Sequence, residues 1–247
     1  MRYCIHLAYN GTRFFGWQIQ PRQISVQECI TNALEKIVKL SGAIVGAGRT
    51  DTGVHAHSFY VHFDCTHEID TQTITNKLNR MLPADIVVFS IAAVAPDFHA
   101  RFSAMRRTYC YTITQTKNPF LQETAYFFPF PLNIGAMNEA CTLLMGTQDF
   151  TSFSKLHTDV TNNMCTIFEA QWQANDSVLD FYISANRFLR NMVRAITGTL
   201  LDVGQEKITI QEFQEIIAAK NRQRAGQSIP ACGLSLIDIE YENDVFQ

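Results

Sequence analysis

The sequence lacks long hydrophobic runs, and this absence limits the class of protein. No stretch of about 18 consecutive apolar residues occurs, so neither a transmembrane helix nor a membrane partner is expected. The first residues lack the continuous apolar segment and the small-residue cleavage site of a secretory signal peptide. Cys-x-x-Cys pairs are also absent, and the seven cysteines are scattered and odd in number. We therefore expect reduced thiols in a cytoplasmic protein.

Several motifs that identify common enzyme classes are absent too. There is no Gly-x-x-x-x-Gly-Lys phosphate loop and no Gly-x-Ser-x-Gly nucleophile motif. The Asp-Thr-Gly triplet of aspartic proteases occurs once, at 51–53, whereas those enzymes need a second copy for the partner carboxylate. One short stretch is rich in metal-ligand residue types: His55, His57, His62, Cys65 and His67. No second ligand pair at the spacing of a closed zinc site accompanies it, so no metal is expected.

What the chain does contain is a large apolar fraction and a segregated charge. Apolar residues make up 47 % of the 247 residues and charged ones 17 %, enough to bury a sizeable core. The net charge is −3, yet residues 98–122 carry four cations and residues 181–201 carry three, with no acid in either stretch. These cations are Arg101, Arg106, Arg107, Lys117, Arg187, Arg190 and Arg194. Charge distributed in this way can form a basic face for a nucleic acid on a mildly acidic protein.

Hydrophobic periodicity predicts an α+β fold of two lobes, residues 1–105 and 106–247, that share one continuous mixed or antiparallel sheet flanked by helices and loops. Strands are predicted at 3–9, 59–63, 86–94, 108–114, 167–173, 178–185 and 234–241, with 86–94 as a buried strand. Helices are predicted from 26 to about 41, then at 70–82, 137–145, 187–203 and from 210 onwards. Ser25 and Thr209 each stand three positions before a glutamate, which is a capping box. A turn is expected at 175–176.

The segment 187–203 combines a helical pattern with three arginines. At 100° per residue, Arg187, Arg190 and Arg194 would lie within about 60° of one another, on a face separate from the apolar residues. A solvated helix face usually pairs its charges, and no acid stands near these three. The pattern favours a helix that faces an anion, with an ordinary solvated surface as the alternative.

A loop at residues 46–56, called the Asp51 loop below, concentrates the residue types of a reactive site. Its three glycines allow turns with positive φ and close approach of the backbone to a ligand. The guanidinium of Arg49, two residues from Asp51, can hold that carboxylate ionised. An ionised aspartate can act as a nucleophile, a base or a metal ligand. The alternative is a surface turn with a local ion pair.

Tyr109 is the second candidate, because it follows Arg106 and Arg107 directly on a predicted strand. Proteins bind RNA with cations on the phosphates and aromatic rings on unstacked bases. Enzymes that act on a base must first extract it from the stack into a pocket. A ring beside phosphate contacts would suit such a role, with a buried strand tyrosine as the alternative.

Several motifs, spread over nearly the whole chain, resemble those of the tRNA pseudouridine synthase A family. The most specific is Gly-Arg-Thr-Asp-Thr-Gly-Val-His-Ala at 48–56. Further matches lie at 9–18, 97–104, 107–111, 149–153, 186–194 and 233–236. Thr52 departs from the pattern, because the family usually has alanine there. The agreement of several ordered motifs makes the resemblance specific.

The resemblance implies a pseudouridine synthase fold and the cofactor-free, metal-free isomerisation of uridine to pseudouridine at positions 38, 39 and 40 of the tRNA anticodon stem-loop. It also implies a homodimer with a positively charged cleft. By motif, the resemblance implies that Asp51 is the nucleophile and that Arg49 is its partner, which also helps to flip the nucleotide. It implies that Tyr109 stacks on the uracil and is a candidate for proton transfer. Leu234 would form a wall of the pocket. The arginines expected to contact RNA are Arg101, Arg106, Arg107, Arg187, Arg190 and Arg194. The alternative function is a non-catalytic RNA-binding module, in which a carboxylate at Asp51 would repel RNA without benefit.

Overall fold

The computed structural model describes residues 1–155, 162–175 and 178–242. Contacts divide the chain into two compact units: unit 1 is Met1–Arg106 with the segment from Ser235 onwards, and unit 2 is Arg107–Leu234. The sequence-based division at 105/106 assigned that last segment to the second lobe, whereas in the structure it groups with unit 1. The predicted turn at 175–176 extends to Asp176, which lies outside the described residues.

Ten strands and five α-helices are formed within the described residues. In chain order they are β1 (Arg2–Tyr9), α1 (Val26–Glu35), β2 (Val45–Gly46), β3 (His55–Asp64), α2 (Thr71–Met81), β4 (Ile86–Val94), β5 (Arg106–Thr114), β6 (Tyr126–Phe127), α3 (Ile134–Thr142), β7 (Gly146–Asp149), β8 (Met164–Asn175), β9 (Val178–Ala185), α4 (Met192–Gly204), α5 (Ile210–Ala218) and β10 (Leu234–Glu240). The α+β fold with a large mixed sheet flanked by helices, predicted from the sequence, is confirmed.

In unit 1, β1 lies between β3 and β4 and pairs with both in antiparallel fashion. β10 adds to β3 in parallel, starting opposite His55, and the short β2 pairs with β3 in antiparallel fashion. Ile5, Leu7 and Phe59 are fully buried in this sheet, as the alternation of apolar residues predicts. Helix α2 packs against β4. The Asp51 loop therefore leads directly into the amino-terminal end of β3, a strand that is paired on both sides within this sheet.

The strand β4 has the predicted bounds, but the prediction that it is buried on both faces is wrong. Among the described residues it pairs with β1 alone, and it forms the edge of the unit 1 sheet. Val87 and Phe89 are 41 % and 50 % exposed, so only alternate residues face the core. The side chain of Asn79 on α2 bonds the backbone N–H and C=O of Val88, which satisfies part of the free edge.

In unit 2, β9 lies between β5 and β8, and both pairings are antiparallel. β7 adds to β8 in antiparallel fashion and β6 to β5 in parallel. Helix α3 packs against β8 and α4, and α5 packs against α3 and α4. Phe181 on β9 and Phe213 on α5 are fully buried in this core. The strands β2, β6 and β7 are short and were not predicted.

The helix starts show both the value and the limit of capping signals. Ser25 accepts from the N–H of Glu28 at 3.2 Å, and Thr209 forms a complete capping box with Glu212, as predicted. Helix α1 ends at Glu35, well before the predicted end. The prediction of a helix from Arg187 is wrong, because α4 begins only at Met192 after Asn191, whose φ of +67° interrupts a right-handed helix.

None of the helices within 1–155, 162–175 and 178–242 combines the length and the apolar character that crossing a membrane requires.

Candidate active site

The Asp51 loop connects β2 to β3 in unit 1 and contains a tight turn. The carbonyl of Asp51 accepts from the N–H of Val54 at 3.1 Å. Gly53, the third residue of this turn, has a φ of +77°, which glycine adopts without a steric penalty. The side chain of Asp51 is half-buried. The sequence prediction of a glycine-dependent turn with positive φ in this loop is therefore confirmed at Gly53.

A buried pair of hydroxyl groups holds the loop one residue before Asp51. The Tyr9 Oη and the Thr50 Oγ1 lie 2.9 Å apart, and the two residues are 4 % and 8 % exposed. Tyr9 is the last residue of β1, so the hydroxyl pair ties the loop to the middle strand of the unit 1 sheet. A hydrogen bond in such a water-poor place restricts the loop more than an exposed one would.

Residues 10–18, called the N-terminal loop below, brace the Asp51 loop through the backbone. The N–H of Trp17 donates to the carbonyl of Thr50 at 3.2 Å, and the N–H of Gly53 donates to the carbonyl of Phe14 at 3.3 Å. The N–H of Gly11 donates to Nδ1 of His55 at 3.0 Å, which leaves the ring proton of a neutral His55 on Nε2. The two loops form one hydrogen-bonded unit around Asp51.

The close fit of these two loops depends on Gly16. A methyl group on Gly16 would lie 2.4 Å from the carbonyl oxygen of Thr50, and its φ is +84°. Glycine is thus required there for both space and backbone conformation.

Arg49 does not form the ion pair with Asp51 that its position two residues away suggested. Its side chain is exposed and makes no hydrogen bond or ion pair with any residue that the structure describes, Asp51 included. The expected Arg49–Asp51 ion pair is therefore absent among the described residues. Arg49 instead lines a cavity of about 140 Å³ with Trp17, Gln18, Gln27, Gly46, Gly48 and Arg101.

Arg101 reaches this cavity from residues 97–103, called the Arg101 segment below. Nδ1 of His99 accepts from the backbone N–H groups of Arg101 and Phe102 at 3.2 and 3.3 Å. The Arg101 guanidinium carbon lies 5.4 Å from the centre of the Phe102 ring, which is 74 % exposed. The segment thus presents a cation and an aromatic ring on a short hydrogen-bonded turn.

Two neutral imidazoles support the Arg101 segment. Nδ1 of His62, on β3, accepts from the N–H of Ala100 at 3.1 Å, and the rings of His62 and His99 lie 4.8 Å apart. Burial, helped by the nearby Arg2 guanidinium, lowers the pKa of His62 to about 4. Burial also lowers the pKa of His99. Both rings are thus neutral near pH 7 and can accept from the backbone.

The candidate residues of unit 2 lie around β5 and the segment before α4. Tyr109 is half-buried, and its ring meets the ring of Phe188 edge to face at 5.2 Å. Arg107 donates from Nη1 to the carbonyl of Asn186 at 2.7 Å. The fully buried strand tyrosine is Tyr111, two residues on.

The other arginines differ in their surroundings. Arg187 donates to the carbonyl of Asn162 at 3.1 Å, Arg194 donates to the carbonyl of Ile229 at 2.7 Å, and Arg190 is exposed. They do not share a helical face, since the first two positions precede α4. Arg106 lies in unit 1, with its Nε 3.6 Å from the Glu240 carboxylate. Leu234 is buried at the start of β10.

The histidine-rich stretch does not assemble ligands. In the described part of the chain, no three His, Cys, Asp or Glu side chains come together as metal ligands. Nδ1 of His55 and Nδ1 of His62 each accept a backbone N–H instead. The role of these two histidines in holding loops was not predicted, because no local pattern distinguishes a hydrogen-bonded buried histidine from a ligand.

Comparison with known proteins places this site in a family. A tRNA pseudouridine synthase from Bacteroides fragilis, named tRNA pseudouridine synthase A, is 49 % identical over 248 residues, covering 100 % of this chain and 98 % of its own length. Proteins of that name from Parabacteroides distasonis and Geobacillus sp. are 51 % and 42 % identical, covering 99 % and 96 % of this chain and 98 % and 97 % of their own lengths. The model of the family described as tRNA pseudouridine synthase matches residues 5–103 and 140–242, which include the Asp51 loop, the Arg101 segment and α4. The chain belongs to the tRNA pseudouridine synthase family.

Proposed function

We propose that this protein isomerises uridine to pseudouridine in the anticodon stem-loop of tRNA, at positions 38, 39 and 40. Support comes from full-length relatives named tRNA pseudouridine synthase A. The observation that carries the proposal is the setting of Asp51, in a turn braced by the N-terminal loop and by the Tyr9–Thr50 hydroxyl pair. A carboxylate on a loop held in this way is available for attack while its surroundings stay in place.

The reaction needs one carboxylate and a pocket that excludes the rest of the RNA. The N1–C1′ bond breaks, the uracil turns, C5 bonds to C1′, the hydrogen on C5 leaves to solvent as a proton, and N1 takes up a proton from solvent. The ionised Asp51 attacks C1′ or the uracil ring, or assists a glycal route. The uracil leaves as a stabilised anion, so the proposed step requires no metal or cofactor.

The other candidate residues take supporting roles in this proposal. Tyr109 stacks on the uracil and is the candidate for proton transfer, and Leu234 forms an apolar wall. Arg49 acts on the RNA, because its exposed side chain is not engaged by described residues. Further RNA contacts are assigned to Arg101, Arg106, Arg107, Arg187, Arg190 and Arg194. A cytoplasmic homodimer completes the proposal, since a cleft between two copies would combine two sets of local cations on a chain of net charge −3.

The test is release of tritium from tRNA labelled at uridine C5, with purified protein and no added metal or nucleotide. We expect release by the wild type, none by Asp51→Asn, and unchanged tRNA binding by that variant. Asp238→Asn, an exposed aspartate on β10, is the matched control and should release tritium like the wild type. Activity of Asp51→Asn near the wild-type rate would overturn the assignment of the nucleophile, and tight binding without release by the wild type would favour a binding module.

A further inference from the structure

The cavity beside the Asp51 loop has the charge of an anion site. Its seven lining residues include the guanidinium groups of Arg49 and Arg101 and no carboxylate. Its volume of about 140 Å³ is large enough for a phosphate group. All lining residues belong to unit 1. The cavity lies next to Asp51 in sequence but does not include it.

The backbone of the loop adds donors to the two cations. Among the described residues, the N–H groups of Gly48 and Arg49 donate to no acceptor. A side chain on Gly48 would meet no atom within 4 Å, so the loop borders open space at this residue. Successive backbone N–H groups beside arginines are a common setting for phosphate oxygens.

Two of the other lining residues, Gln27 and Trp17, are held in place by their surroundings. Gln27 is held by both ends of its amide, since Nε2 donates to the carbonyl of Ile44 and Oε1 accepts from the N–H of Ile19. Trp17 is 3 % exposed, and its ring lies against Gly46, where a methyl group would come within 2.5 Å of it. No residue that lines the cavity offers a free aromatic face on which a base could stack. The lining suits a phosphate.

The geometry points to a seat for one phosphate of the RNA backbone, formed by Gly48, Arg49 and Arg101, next to the uridine that Asp51 attacks. This inference rests on the proposed function and specifies how the substrate is held. Phosphate contacts set the register of a nucleic acid on a protein. A phosphate bound by the backbone N–H groups of Gly48 and Arg49 is held on the loop that carries Asp51, so the seat sets which nucleotide reaches the carboxylate. Arg49 thereby positions the uridine by holding the RNA backbone next to it.

The test compares a charged with a neutral side chain of the same shape in the cavity. Gly48→Asp and Gly48→Asn differ only in the carboxylate, and the open space and non-positive φ at this position allow both. We expect Gly48→Asp to bind an anticodon stem-loop RNA about tenfold more weakly than Gly48→Asn, because a carboxylate repels the phosphate. Gly135→Asp in α3 has the same effect on net charge and should bind like the wild type. Equal affinity of the two Gly48 variants would overturn the inference.

Stem-loops that carry a single uncharged methylphosphonate linkage, moved along the strand around position 39, identify the phosphate. One linkage should weaken binding to the wild type and to Gly135→Asp but not to Gly48→Asp or Arg101→Gln. If no position of the linkage had this effect, the proposed phosphate seat would also be contradicted. RNA binding tests the phosphate seat, whereas tritium release tests isomerisation. If the effect of the linkage depends on Gly48 and Arg101 as expected but the wild type releases no tritium, the proposed function alone would be refuted.

Discussion

At the scale of single residues, the buried hydroxyl of Tyr9 sets the position of the loop that carries Asp51. Replacing Tyr9 by phenylalanine keeps the packing and removes the bond to Thr50. We expect kcat to fall about tenfold, the equivalent of one buried hydrogen bond, and KM for tRNA to stay within about twofold. Single-turnover tritium release and a binding titration measure the two effects separately.

Tyr3 provides the control for this prediction. It lies on the same strand, is 2 % exposed, and its hydroxyl accepts from the N–H of Ile69, away from the Asp51 loop. Tyr3→Phe should lose a similar amount of stability and keep the wild-type kcat. Thr50→Ser, which retains the hydroxyl, should also keep it. A fall in kcat that is the same for Tyr3→Phe and Tyr9→Phe would show that Tyr9 acts only through stability.

The neutral His62 and His99 make stability depend on pH. Their pKa values are lowered in the folded chain, to about 4 for His62 from the usual 6.5. Between these values the unfolded chain binds a proton that the folded chain does not, so the free energy of unfolding falls as the pH falls from about 6.5, by at most about 1.4 kcal/mol per pH unit for each group. Urea unfolding at several pH values between about 7 and 5 measures this slope.

His62→Asn tests the source of that slope. Its Oδ1 can accept from the N–H of Ala100 but does not titrate. The variant should therefore lose less stability than the wild type on acidification. An unchanged pH dependence would assign the effect to other groups, such as His6, whose pKa burial also lowers.

The sequence indicated the reactive residue types of this site but not their partners. Asp51 and its glycine turn follow from local composition, because φ > 0 at Gly53 is a local requirement. The contacts of Tyr9 with Thr50, and of Arg49 with the cavity that Arg101 lines, join residues far apart in the chain. Such pairs depend on strand register and loop packing, which periodicity does not specify. The Arg49–Asp51 pair was inferred from proximity along the chain, and this proximity does not determine where a side chain points.

At the scale of elements, the N-terminal loop and the Asp51 loop act as one unit whose fit depends on Gly16. Gly16→Ala places a methyl group 2.4 Å from the Thr50 carbonyl at a φ of +84°. We expect a loss of about 3 kcal/mol or more in the free energy of unfolding, from left-handed strain and the steric clash together, and a large loss of kcat. Chemical denaturation and tritium release measure the two quantities.

A substitution at Gly146 serves as the control that separates the cost of backbone strain from the cost of the steric clash at Gly16. Its φ is +82°, almost that of Gly16, but a methyl group there would meet no atom within 4 Å. Gly146→Ala should therefore lose only about 1 kcal/mol and keep the wild-type kcat. If both variants lost the same stability, backbone strain alone would explain Gly16, and the close packing of the two loops would have no energetic role.

Elements with a strong period were predicted well, and the errors have physical reasons. The bounds of β4 and β9 follow from runs of apolar and β-branched residues, but such a run does not distinguish a central strand from an edge. Asn79 on α2 covers that edge through a contact that only the folded chain reveals. The residues before α4 fit a helical pattern, yet Asn191 adopts φ > 0, which asparagine tolerates better than most residues.

At the scale of the whole molecule, a net charge of −3 would oppose RNA binding if total charge decided it. Screening limits the reach of an exposed charge to about 10 Å at 0.1 M salt, so each phosphate responds to nearby cations. The stretch 181–201 has three arginines and no acid. Arg194 lies within α4, whereas Arg187 and Arg190 both lie in the segment before it, so these two are changed together.

Two double variants that each remove two positive charges test whether the total charge or the local charge governs tRNA binding. Arg187→Ala with Arg190→Ala removes two cations before α4, and Lys36→Ala with Lys39→Ala removes two exposed cations after α1. We expect the arginine variant to bind tRNA at least about tenfold more weakly and to lower the slope of log K against log salt by about 0.7–0.9 for each phosphate that it no longer neutralises. The lysine variant should keep its affinity within about twofold and its slope unchanged. Equal weakening in the two variants, with unchanged melting temperatures, would mean that total charge governs binding and that the arginines before α4 face away from the RNA.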